Sequence, residues 1–213
     1  MLGFILLALF LGFKHSFDAD HLLAVSTLLP KASSIRHAFL MGLMWAFGHM
    51  VTAIAVTFLL FSFRDFLSPV LEKFELLVAL MLVGLGAISI LQSGIVHAHR
   101  HRHEKAEHAH VHEKGFHHVH RQMFGVGIIH GLASNDELLV LITATLGVST
   151  FALAALGVAI FTAGVVAGMA VFSMLLAYPL VRARQEALLK GFYLISGLLS
   201  IGYGLWMLAA LVF

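Results

Sequence analysis

The chain has 213 residues, of which 60% are hydrophobic and only 11% charged, and its mean hydropathy is +0.96. Soluble domains carry about 25% charged residues, so a water-soluble globular protein is excluded and a polytopic membrane protein is expected. The net charge of +2 requires no nucleic-acid partner, and the lack of cysteine excludes thiolate metal sites and disulfide-passing electron carriers.

Crossing about 30 Å of hydrocarbon takes roughly 20 mostly apolar residues. Six such stretches follow one another, at 2–29, 37–62, 70–95, 122–147, 150–181 and 189–212. Between them lie Pro30-Lys31, Arg64-Asp65, a histidine-rich stretch, Gly147-Val148-Ser149 and Arg182-Ala183-Arg184. The opening MLGFILLALFLGF lacks a basic leader region and a small-residue cleavage site, so it reads as half of a retained helix. The expected fold is an all-α membrane protein with three parts: 1–96 (helices 1–3), 97–121 (loop) and 122–213 (helices 4–6).

Lysine and arginine concentrate on the cytoplasmic side of short loops. Connections after helices 1, 3 and 5 carry Lys31, Arg36, Arg100, Arg102, Lys105, Lys114, Arg121, Arg182, Arg184 and Lys190, against Arg64 and Lys73 opposite. Both termini are therefore expected outside a plasma membrane, with the 97–121 loop in the cytoplasm.

GFKHSFDADHLLAV at 12–25 aligns weakly with GIIHGLASNDELLV at 127–140, placing His15 against His130 at an offset of 115 to 116 residues. GLMWAFGH at 42–49 falls near GVAIFTAG at 157–164. A three-helix unit used twice must enter the membrane from opposite sides. This predicts a 3+3 inverted repeat with a substrate site near the midplane.

His15, Asp18, Asp20, His21, His49, Asn135, Asp136 and Glu137 share one depth, within about two helical turns of the centres of helices 1, 2 and 4. Each ionised group there costs on the order of 2.5–3.5 kcal/mol unless it pairs, meets water or binds something. A cation compensates them together, and imidazole with carboxylate suits divalent nickel, cobalt, zinc, iron or manganese. His15, Asp18, His21, His49 and Asp136 are candidate ligands with Asp20; His130, Asn135 and Glu137 are candidate supporting residues. In a straight helix Asp20 points roughly 140° away from His15. Either Asp20 holds a histidine from behind, or the helix unwinds locally, with Gly12 just before it.

Ten histidines crowd HAHRHRHEKAEHAHVHEKGFHHVH: His97, His99, His101, His103, His108, His110, His112, His117, His118 and His120. Such a tract reads as a mobile, multi-site metal buffer at the cytoplasmic mouth.

HSFDADH contains H-x4-D-H, which resembles the hallmark helix of the nickel/cobalt transporter family. WAFGHMVT at 45–52 resembles that family's second motif, and SNDELLVL at 134–141 stands in the place of its third, without the threonine-rich form of the uptake branch. The better-known uptake members look like eight-helix proteins with the signature in their second helix. Here it lies in the first of six, which points to the shorter urease-accessory or exporter-like branch. The histidine tract also fits the handing of metal to a cytoplasmic metallochaperone. The resemblance implies a permease for nickel and/or cobalt, with His15, Asp20, His21 and His49 as transferable site residues. It implies no prosthetic group. The metal, the direction, the energy coupling and the oligomeric state stay open at this point, as does a permease for zinc, iron or manganese. An intramembrane metalloenzyme is the remaining class, but H-E-x-x-H and a nucleophilic serine context are both missing.

Overall fold

A computed structural model of the chain describes residues 2–95, 97–103, 106–112, 119–133, 151–183 and 185–212. The first expected span is two helices: α1, Leu2–His15, and α2, Ala19–Leu28, which a 3-10 turn at Leu29–Lys31 extends. Their axes bend by 54° across the break. Ser34 caps the next helix, its hydroxyl accepting from the His37 amide at 3.1 Å.

That helix, α3, is Ile35–Ser93, and it runs through Arg64-Asp65 without interruption. The expected break there is therefore corrected. A charged pair lowers local hydropathy, but neither residue bars helical backbone angles. Within α3 the stretches Ile35–Val56 and Lys73–Ser93 are each long and apolar enough to span a membrane, in register with the second and third expected spans.

The strands β1, His97–His103, and β2, Ala106–His112, pair antiparallel, with His97 opposite His112, His99 opposite His110 and His101 opposite His108. Residues 97–103 and 106–112 of the tract thus pair as two strands, consistent with their two-residue alternation. Helix α4, Val119–Ala133, begins three residues before the expected 122; the rest of that span and the Gly147-Val148-Ser149 break lie outside the described residues. α5, Phe151–Ala183, and α6, Glu186–Val212, close the order.

Among the described residues, four helices are long and apolar enough to cross a membrane, or five when the bent α1–α2 pair counts as one. The chain is a multi-pass membrane protein whose described candidate spans are all helical. α1 packs along α5, while α3 packs against α4, α6 and α5. Trp45, Met41, Met123, Phe161, Met169 and Leu82 fill the interior, and Leu6, Phe10, Phe58, Leu91, Leu175 and Trp206 face outward, where lipid replaces water.

Helices lack a hydrophobic drive to associate within lipid, so small residues that let backbones touch hold them together. Gly12 lies against the Phe161 carbonyl and Gly164 against that of Leu9, with no room for a β-carbon at either. Gly127 meets the Trp45 carbonyl and Gly48 that of Phe124 in the same manner. Gly12 therefore serves the α1–α5 contact and does not unwind its helix; the break comes later, at residues 16–18. α3 and α6 meet at Gly86 and Gly197, flanked by hydroxyl bonds from Ser89 to the Tyr193 carbonyl and from Ser200 to the Leu82 carbonyl, each 2.8 Å.

Candidate metal centre

The break at Ser16-Phe17-Asp18 turns the chain so that residues from both halves of one span face inward. Asp18 occupies the N-cap of α2 in extended backbone, yet its side chain makes no capping bond. One carboxylate oxygen instead meets Lys14 Nζ at 3.1 Å, and the other meets His15 Nδ1 at 3.1 Å. The His15 carbonyl, released from regular helix bonding, accepts from the Asp18 amide at 3.1 Å and from His21 Nδ1 at 3.0 Å. Both histidines thus spend Nδ1–H on a fixed acceptor and turn Nε2 inward, the arrangement that orients metal-binding imidazoles.

His49, from α3, completes the cluster. Its Nε2 lies 3.2 Å from His15 Nε2, and its ring centroid is 4.9 Å from that of His21. His15, His21 and His49 are all buried, and one ring nitrogen from each falls within 4.8 Å of the others. Ligands 2.0–2.1 Å from one ion stand at most about 4.1 Å apart. The 3.2 Å pair already meets that limit, and the widest separation must close by under about 1 Å to share an ion.

Asp20 and His130 form the next wall. One Asp20 oxygen lies 3.8 Å from His21 Nε2 and 3.9 Å from His130 Nε2, too far for hydrogen bonds but within the span of two ligands on one ion. His130 is buried in α4, with Nδ1 donating to the Val126 carbonyl at 3.2 Å and Nε2 lacking a hydrogen-bond partner among the described residues. Trp45, one turn before His49, stacks on it with centroids 4.9 Å apart and an 8° interplanar angle, and it also packs on His21.

His15, Asp18, Asp20, His21, His49 and His130 therefore converge. Asp18 sits behind His15 and Asp20 faces the ring nitrogens, which reverses the roles expected from a straight helix. Asn135, Asp136 and Glu137 lie outside the described residues, as do His117 and His118. Of the other histidines in the tract, His97, His99, His101, His103, His108, His110 and His112 fall on the two strands, and His120 opens α4. Trp45 escaped the sequence reading although it belongs to the WAFGHMVT segment; its spacing of four before His49 is the signal that marks a shared helix face.

No family model and no solved structure matches the chain. A urease accessory protein UreH from Bacillus sp. (strain TB-90) is 30% identical over 209 residues, covering 96% of this chain and 90% of that protein. Kinship at that identity over nearly the whole of both sequences agrees with the branch indicated by HSFDADH: the chain belongs to the family of the urease accessory protein UreH, among the shorter relatives of the nickel/cobalt transporters.

Proposed function

We propose that the chain is a membrane transporter for divalent transition-metal ions, nickel and/or cobalt, which it binds at His15, His21 and His49 with Asp20 facing them. The observation that carries this reading is the buried three-histidine cluster at a helix break, with the rings of His15 and His21 held through Nδ1. Neutral imidazoles gathered in an apolar interior gain little from one another, whereas a cation converts their lone pairs into ligand bonds. Kinship with a urease accessory protein and the resemblance of HSFDADH to the nickel/cobalt signature favour those two metals over zinc, iron or manganese. Asp136 is assigned to the same site, with Asn135 and Glu137 in support.

The transport step is a rocking of two three-helix repeats around this site. Paired contacts support the repeat. Exchanging residues 115 to 116 positions apart turns the Gly12–Phe161 approach into Gly127–Trp45, and Gly164–Leu9 into Gly48–Phe124. The two Ser-to-carbonyl bonds between α3 and α6 exchange at a shorter offset of 111 residues, Ser89 for Ser200 and Leu82 for Tyr193. In this arrangement both termini face outward across the plasma membrane. The histidine tract lies in the cytoplasm, where it collects metal or exchanges it with a metallochaperone.

The test is flux of radioactive nickel and cobalt in proteoliposomes, measured in both directions with zinc, iron and manganese as competitors. Flux that saturates with nickel or cobalt and disappears in His49→Ala is expected. Absence of metal-dependent flux in the parent protein overturns the reading, and hydrolysis of a peptide substrate by the same preparation replaces it with a metalloenzyme.

A further inference from the structure

A second histidine pair lies apart from the buried cluster. His37, in the first turn of α3, and His120, in the first turn of α4, have ring centroids 4.7 Å apart at an interplanar angle of 55°. That spacing matches the buried cluster, where His15 and His21 are 4.8 Å apart and His15 and His49 are 5.3 Å apart. Both rings are partly exposed. His120 Nδ1 is shielded and has no hydrogen-bond partner among the described residues. His37 Nδ1 is served by Ser33 in two ways, from the backbone amide at 3.2 Å and through the hydroxyl at 3.0 Å.

The Ser33 contacts matter chemically. The amide can only donate, so it suits a bare Nδ1, whereas the hydroxyl oxygen can accept from Nδ1–H. His37 can therefore adopt the tautomer with Nε2 bare by keeping the hydroxyl contact to Ser33 and giving up the amide one. A metal-binding imidazole needs that form, with the far nitrogen held. Position adds a second argument. His120 is the last residue of the histidine-rich tract, ten residues or about 15 Å of helix before His130; His37 lies twelve residues or about 18 Å before His49. Each of the two helices that begin at this pair carries a buried histidine, His49 in α3 and His130 in α4.

We propose that His37 and His120 form an outer two-histidine binding station for a divalent transition metal, where the tract exchanges ions with the transport path. The station deepens the transport reading and rests on it for the identity of the ion. A third and fourth position remain for water or a histidine of the tract, so binding is weak and exchange is fast, as a relay requires.

Nickel protection of individual histidines from diethyl pyrocarbonate, read residue by residue by mass spectrometry on the full chain, tests this. Nickel should protect His37 and His120 together, with one half-saturation point. In His37→Asn, half-protection of His120 should move to higher nickel by about tenfold or more, the order seen when a metal site loses a supporting group. Ser33→Ala should give a smaller shift in the same direction. Protection of the tract histidines should not change in either variant. His49→Ala should leave protection of His37 and His120 intact, so loss of the buried site is read separately from loss of the station. Unchanged protection of His120 in His37→Asn would show two rings in simple packing contact, and absence of nickel protection at both residues would equally overturn the station.

Discussion

Replacing Gly127 by alanine adds one methyl group at the crossing of α3 and α4. Its β-carbon would stand 2.9 Å from the His49 amide nitrogen and nearer still to the Trp45 carbonyl, where ordinary contact begins at 3.4 Å. Both neighbours are backbone, so no side chain can swing aside. The helices must part by at least about 0.5 Å at His49 and by more at Trp45. His49 then withdraws from His15, whose Nε2 lies 3.2 Å away, and its stacking partner Trp45 moves with it. Overpacking of this kind costs about 1–3 kcal/mol. Displacing a residue that supports a metal ligand lowers affinity or activity by about 10–100-fold. Gly125→Ala is the control on the same helix, since a β-carbon there meets nothing within 4 Å. The assay combines nickel flux into proteoliposomes with thermal unfolding of the purified protein. Gly127→Ala should lose flux and unfold at lower temperature, while Gly125→Ala should match the parent in both. Equal behaviour of the two variants refutes the packing argument.

Three further outcomes follow from the site. His49→Ala removes the nitrogen nearest His15 and should abolish nickel-dependent flux; parental flux would exclude His49 from the site. Asp18→Asn weakens the anchor on His15 Nδ1 and should raise the KM for nickel by about 10–100-fold, and a titration showing the parental KM would mean that His15 is oriented without it. Deleting residues 97–116 removes most of the histidine tract and should lower nickel flux only at limiting metal. Complete loss at saturating nickel would end its assignment as a buffer.

The sequence by itself determined the class of protein and the places of several of its helices. Composition and run lengths depend on local chemistry alone, which is why the apolar stretches at 37–62, 70–95, 150–181 and 189–212 match the helices so closely. Charge density misled at Arg64-Asp65 because a polar pair interrupts an apolar run without interrupting helical hydrogen bonding. The H-x4-D-H spacing likewise exposed the candidate site, and the 140° conflict at Asp20 gave warning of a break.

Only the tertiary structure showed where that break falls and what each group does there. With residues 16–18 out of the helix, the His15 carbonyl is released to hold His21, and Asp18 turns back to His15. The roles of Asp18 and Asp20 are thereby exchanged relative to a straight helix. No periodicity rule contains that result, because it depends on a 54° bend and on where α3 and α4 lie across the break. His15 beside His49, Asp20 facing His130, and His37 beside His120 are all contacts between segments far apart in the chain. The sequence carries the residues of such contacts, while helix packing sets their distances.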